Sequence, residues 1–214
     1  MKVAIIGATG FVGPHVVTEA LNRGYEVTAF ARNPDKLDIS HEHLTKQAVD
    51  IYDTEILAQL LVGHDAVIST FNAGWTNPDL YNDFLKGSRS IQQATKQAGI
   101  NRFLFVGGAG SLEIKPGVQL VDTPDFPAAY KPGATAARDF LTELRQEQQL
   151  DWTFLSPAIN LHPGEPTGKF RLGTEQPVFN EAGKNDISVA DLAVALLDEL
   201  ENNQFVKKRF TLGY

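Results

Sequence analysis

The chain has 214 residues, 43% of them hydrophobic, a formal charge of -7 and no cysteine. That length supports one substantial core but is short for two, and the missing cysteines exclude thiol catalysis, disulfide exchange and cysteine-bound zinc or iron-sulfur centres. The net acidity argues against a nucleic-acid partner, because phosphate contacts need a concentrated basic face and the one dense cluster, Lys207-Lys208-Arg209, reads as the solvated start of a strand.

Lys2-Val3-Ala4-Ile5-Ile6 is a short buried strand that runs into Gly7-Ala8-Thr9-Gly10-Phe11-Val12-Gly13. Behind it, Val12, Val16, Val17, Ala20 and Leu21 recur with helical period, and Gly24 closes the helix. Three glycines at GxxGxxG spacing between a strand and a helix fit a dinucleotide: Gly7 permits the tight turn, Gly10 lets backbone approach a pyrophosphate, and Gly13 allows close helix-strand packing. The diphosphate would meet the unpaired N-H groups from Thr9 to Gly13 at the helix start.

Glu26 to Ala31 is the second strand. NAD-specific proteins commonly place an acid at its end, whereas here Ala31 is followed by Arg32. An arginine beside the ribose suits a 2'-phosphate, and a charge-assisted hydrogen bond of roughly 1.5-3 kcal/mol would favour NADP by about one to two powers of ten, with NAD still admissible. A helical turn at 34–37 and a polar connection follow; His41 and His43 lack a third ligand, so no metal is expected. Lys46 to Val49 reads as the third strand, which places Asp50 and Ile51 on the adenine side. Thr54 to Leu61 is a short helix.

Asp65 to Thr70 is the fourth strand. It ends at the carboxyl edge of the sheet, where ligands bind, so Ser69, Thr70, Phe71 and Asn72 join the cofactor set. The next helix carries Leu80, Phe84, Ser88, Ile91, Thr95 and Ala98 on one stripe and stops at Gly99. Asn101 to Val106 is the fifth strand and opens into Gly107 and Gly108, also on the cofactor side. Residues 113–133 are rich in proline and glycine, so a long loop over the cleft is expected there. A helix over 134–148 with Ala137, Phe140, Leu141 and Leu144 inward leads to a sixth strand, Asp151 to Ser156, stopped by Pro157. A second loop over 160–167 precedes a hairpin strand, Lys169 to Leu172. Ser188 with Asp191 resembles a capping box before a last helix. Arg209 to Leu212 reads as an edge strand.

Alternating strands and helices predict an α/β, doubly wound, mainly parallel sheet of Rossmann type, with helices on both faces and a small carboxyl-terminal appendage. Residues 1–214 are expected to form a single unit, with 113–133 and 157–187 as the substrate-side loops. No apolar run approaches the ~18 residues of a membrane span, and a strand starting at residue 2 leaves no room for a leader, so a cytoplasmic protein without a membrane partner is expected.

The glycine turn, Arg32, Asn72-Ala73-Gly74 and Asp151-Trp152-Thr153-Phe154-Leu155-Ser156-Pro157 together resemble the atypical short-chain dehydrogenase/reductase group, and within it the bacterial NAD(P)H-flavin reductase-like proteins. The resemblance spans essentially the whole chain and implies NADP(H) as cofactor, Pro157 among the cofactor contacts, and flavin as a substrate rather than a tightly bound group. Ordinary members use a Tyr-x-x-x-Lys pair to pass a proton. The residues four beyond Tyr25, Tyr52, Tyr81 and Tyr130 are Ala29, Ile56, Leu85 and Ala134, and the family's positions fall on Ala134 and Arg138. Hydride transfer to a flavin or quinone-like acceptor needs no such pair and rests on positioning. The resemblance also implies Ser111 near the nicotinamide, either hydrogen-bonding substrate as a catalytic residue or only capping its turn. Trp75, Phe126 and Tyr130 border the cleft and could stack on an acceptor ring, and His162 is the histidine best placed for proton transfer. Gly-x-Ser-x-Gly is absent, which leaves no hydrolase reading. Two readings stay open: a reductase acting alone as monomer or homodimer, and a non-catalytic NADP(H) sensor acting through a protein partner. Sugar-nucleotide epimerisation is disfavoured by the fewer than ~60 residues after the sixth strand.

Overall fold

The computed structural model describes all residues from Met1 to Tyr214. In chain order the elements are β1 (Lys2–Ile6), α1 (Gly13–Asn22), β2 (Glu26–Ala31), β3 (Leu44–Ala48), α2 (Thr54–Leu61), β4 (Ala66–Ser69), α3 (Leu80–Gln97), β5 (Arg102–Val106), β6 (Glu113–Lys115), β7 (Val118–Gln119), α4 (Lys131–Leu144), β8 (Asp151–Ser156), β9 (Asn160–His162), β10 (Arg171–Gly173), β11 (Asp186–Ser188), α5 (Val189–Asn202) and β12 (Lys208–Gly213).

Eight strands form the central sheet in the order β10-β12-β8-β5-β4-β1-β2-β3. All neighbours run parallel except β10 with β12. The chain winds outward from β1 to β3, then returns to β4 on the other side of β1. The β1/β4 junction is thus the switch point at which α/β sheets open a cleft. Successive strand residues serve opposite faces. Val3, Ile5, Leu104, Val106 and Leu155 join α1 and α5 in one core of 26 buried residues. Ala4, Ile6, Phe103, Phe105, Trp152 and Phe154 join α2, α3 and α4 in another of 25. This is the doubly wound parallel sheet that the alternation of elements predicts.

Four expectations change. β12 is an interior strand: Phe210 and Leu212 pack into the α1/α5 core while Arg209 and Thr211 are buried on the opposite face, and a strand buried on both faces is a central one. Arg209 is 3% exposed and so is no solvated start of a strand, because Glu175 pairs with its guanidinium. β10 pairs antiparallel with β12, not with a local hairpin partner. α4 starts at Lys131, three residues early, since Pro132 sits in the first turn where a missing N-H costs nothing. Smaller shifts follow the same logic. β3 begins at Leu44. The 113–133 stretch contains the β6–β7 hairpin and two 3-10 turns. Residues 160–162 form β9 beside β11.

The dinucleotide cleft and its surroundings

Gly7 has φ +82°, and a Cβ there would lie 2.9 Å from the Thr70 carbonyl carbon and oxygen. Only glycine fits, because the turn is both left-handed and pressed against the end of β4. The turn is held from three sides: the N-H groups of Gly7 and Ala8 donate to Phe30 O at 3.0 and 3.2 Å, Gly10 N-H donates to Gly7 O at 3.0 Å, and Thr70 Oγ1 donates to Ile6 O and Gly7 O at 3.0 and 3.1 Å. At Gly13 a Cβ would come within 2.4 Å of Gly7 O, so the missing side chain is what lets α1 start against the turn. Gly10 differs. Its imagined Cβ meets only Gly7 O, at 3.3 Å, and it is exposed.

No side chain caps α1, no acid stands in its first turn, and the N-H groups of Thr9, Phe11, Val12 and Gly13 have no acceptor in the chain. Four free donors around a bare glycine, at the positive end of a ten-residue helix, fit the diphosphate of a dinucleotide.

At the carboxyl end of the sheet, Arg32 follows β2, is exposed, and forms no ion pair within the chain. Asp50 is exposed and its Oδ1 accepts the Tyr52 N-H at 3.0 Å; Ile51 is buried against Gly87, where a Cβ would meet Ile51 at 2.6 Å and Phe71 at 2.5 Å. Phe71 stacks on Phe84 with centroids 6.0 Å apart. Burial and the Asp83 and Asp50 carboxylates raise the Tyr52 phenol above its ordinary value, with Arg32 opposing. Lys86 Nζ stands 5.1 Å over the Tyr52 ring.

Ser69 is wholly buried beneath Phe71 N at 3.4 Å, and Thr70 spends its hydroxyl on the glycine turn, so both hold the cleft wall from behind. Asn72 is exposed and accepts the Gly74 N-H at 2.7 Å. Gly107 makes room for a neighbour, since a Cβ would fall 1.9 Å from the Phe154 ring; at Gly108 the nearest atom is Ala137 Cβ at 3.5 Å. Pro157 is half-buried at the end of β8.

Ser111 is 1% exposed, and its Oγ accepts from Arg209 Nη1 at 3.1 Å. Trp75 and Tyr130, by contrast, are exposed and meet edge to face. Phe126 is half-buried. His162 lies on β9, with Nδ1 2.8 Å from Pro163 O and Nε2 3.9 Å from Asp186 Oδ2; no contact joins it to the Trp75–Tyr130 pair. A hollow of about 110 Å³ between α5 and the β10–β12 edge, lined in part by Phe170, Leu172 and Phe205, is too small for a dinucleotide.

Residues 7–203 match a protein family described as NAD(P)H-binding. The chain belongs to that family. It is a member of the atypical short-chain dehydrogenase/reductase group with the Rossmann-type fold. An uncharacterised Bacillus subtilis protein, YwnB, is 37% identical over 99% of this chain and 98% of its own. A Bacteroides thetaiotaomicron structure, provisionally named an epimerase, superposes with TM-score 0.93 at 43% identity and covers 100% of this chain and 96% of that one. A Streptococcus pneumoniae structure, provisionally named an NADH-flavin reductase, has TM-score 0.86 at 40% identity and covers 100% and 99%. No helix of this NAD(P)H-binding chain is long and apolar enough to cross a membrane.

Sequence reading missed the Arg209 cluster in this family member. Besides Ser111, Arg209 reaches Ser156 Oγ at 3.4 Å and is clamped by Glu175, which Arg145 also contacts at 3.0 Å. Burial disfavours the Glu175 carboxylate, but Arg209 and Arg145 outweigh it and lower its pKa. The available signal was alternation: Arg209 and Thr211 share the face opposite Phe210 and Leu212. Asp191 was also only half read. Ser188 Oγ accepts its N-H at 3.0 Å, yet the carboxylate does not return to the cap. It instead accepts from Thr167, Gly168 and the Tyr214 hydroxyl, the last at 2.6 Å.

Proposed function

We propose that the protein is an NADPH-preferring reductase that passes hydride to a flavin or quinone-like acceptor without a tyrosine–lysine pair. The observation that carries this reading is the first turn of α4. Where the group's resemblance places the proton-moving tyrosine stands Ala134, 8% exposed and close enough to Gly110 that a Cβ on that glycine would lie 2.8 Å away. Arg138, at the lysine position, is tied to Asp122 and Asp139, both at 3.0 Å. Neither Ala134 nor the ion-paired Arg138 can act as the tyrosine–lysine pair does on an alcohol or ketone oxygen, which leaves chemistry that rests on alignment.

In this reading the free N-H groups of Thr9, Phe11, Val12 and Gly13 hold the diphosphate, Arg32 the 2'-phosphate, and Asp50 and Ile51 the adenosine. Gly107, Gly108 and Pro157 flank the nicotinamide, and loops 113–133 and 157–187 border the acceptor within one cytoplasmic unit. Bound NAD(P)H supplies the hydride; the chain excludes water and fixes the two partners relative to each other. The name carried by the Streptococcus relative points the same way. The Bacteroides relative's name is set against this reading by the absence of a tyrosine–lysine pair at Ala134 and Arg138.

The test is anaerobic NADPH oxidation with FMN, FAD or a quinone. Turnover above the non-enzymatic rate is expected. Tight NADPH binding without turnover would replace this reading with that of a redox sensor, which the buried Ser111 hydroxyl and the missing tyrosine equally suit.

A further inference from the structure

Phe11, Trp75, Tyr130 and Phe179 are the exposed aromatic side chains, although a transfer free energy of roughly 1.5–3 kcal/mol per side chain favours burial. Trp75 and Tyr130 are 55% and 53% exposed. They come from the loop after β4 and from the residue before α4, and they meet with centroids 5.3 Å apart and planes at 88°. The contact depends on bare backbone: a Cβ on Gly133 would stand 2.9 Å from the indole, so glycine at that position lets the ring lie against the first turn of α4. A T-shaped pair uses one ring's edge against the other's face and so leaves ring surface uncovered.

The same turn of α4 presents small residues. Ala134 packs on Gly110 and Ala137 on Gly108, and the turn holds no ionisable side chain between them. A flat conjugated ring needs area and stacking, which the exposed face of the Trp75 indole offers.

We infer that Trp75 and Tyr130 form a clamp for a planar fused-ring acceptor, with the indole as stacking face and the Tyr130 ring bracing it. The inference rests on the reductase reading for the place of the cleft, and it adds the residues that select the acceptor. The clamp acts through rings, so the Tyr130 hydroxyl is dispensable.

The test is a calorimetric titration of riboflavin and of 1,4-naphthoquinone into the full chain, with and without NADP⁺, so that no turnover intervenes. At least one of the two binds the native protein. Trp75→Ala weakens that binding tenfold or more, which is about 1.4 kcal/mol. Trp75→Phe and Tyr130→Phe stay within about threefold, and NADP⁺ affinity is unchanged in all three. Trp75→Leu keeps apolar bulk without a ring and serves if the alanine variant fails to fold. Equal ring affinity with and without the indole, or no binding of either probe to the native chain, overturns the clamp. Ring binding that depends on Trp75 without NADPH oxidation keeps the clamp and removes the reductase; turnover indifferent to Trp75 does the reverse.

Discussion

At the scale of single residues, the glycines of the first turn divide into two kinds. Gly7 and Gly13 are fixed by the protein itself, since a Cβ at either would strike backbone at 2.9 or 2.4 Å. Gly10 has room, with its nearest contact at 3.3 Å. The spacing shows all three glycines but not which atom forbids a side chain at each. Gly13→Ala is therefore expected to destabilise the free protein by about 1–3 kcal/mol, as overpacking does. Gly10→Ala should melt close to the native protein yet bind NADP(H) at least tenfold more weakly, because what its methyl meets is the ligand. Thermal melts and cofactor titrations of the two variants check this, and parallel losses in both would remove the assignment of Gly10 to the diphosphate. Arg32 gives a second residue-scale expectation. Exposed and without an ion pair, it is free for a phosphate, and Arg32→Ala should raise the NADPH dissociation constant by about ten- to a hundredfold while leaving NADH nearly unchanged. Equal losses for both nucleotides would show that it does not read the 2' position.

At the scale of elements, β1, α1, β2, α2, α3, β5 and β8 were legible because each carries its own periodicity and its own stop, such as Gly24, Gly63 and Gly99 with φ of +77°, +83° and +74°. β12 was not legible, because whether a strand lies at an edge depends on what pairs beyond it, and β10 is joined to it by no local turn. The Ser111–Arg209 contact was hidden for a related reason: the serine's position in sequence says nothing of a guanidinium arriving from 98 residues away. That guanidinium makes Glu175 a joint. It pairs with Arg209, and its backbone O accepts the Glu113 N-H at 2.8 Å, so it ties the β10–β12 edge to the β6–β7 hairpin. Glu175→Gln leaves the buried Arg209 without a counter-charge and should cost about 1–3 kcal/mol, less than a fully buried pair because the carboxylate is half exposed. Arg145→Gln removes only the outer cation and should cost ~0.5 kcal/mol or less. Urea midpoints for the two variants and their double mutant measure the difference, and similar small losses would show that the joint is slack.

At the scale of the molecule, several groups give up proton affinity on folding. Burial and the nearby Lys2 hold the His64 imidazole below its ordinary 6.5, against the pull of Leu61 O and Asp65. Its Nδ1 lies 2.8 Å from Leu61 O and its Nε2 2.8 Å from Thr28 Oγ1, so Nδ1 carries the proton and Nε2 accepts from the threonine hydroxyl. Burial opposes the Glu147 carboxylate, but the Gln149 N-H, Lys96 and Gln92 prevail and bring its pKa down to about 2 from 4.5. Asp191 is lowered as well, because hydrogen bonds from Tyr214, Gly168 and Thr167 overcome its burial. In each case the unfolded chain binds protons at a pH where the folded chain does not, so acid favours unfolding. The loss should come in two stages. The first begins as pH falls below about 6.5 and belongs to His64; the second begins near the ordinary carboxylate range and runs down through the folded value of Glu147. Melting temperatures from pH 8 to pH 3 resolve the stages. His64→Gln should flatten the first stage and leave the lower stage intact, since Glu147 and Asp191 are untouched. Parallel curves for the native protein and the variant would mean that His64 keeps its proton in the folded state, and that the tautomer assigned to it is wrong.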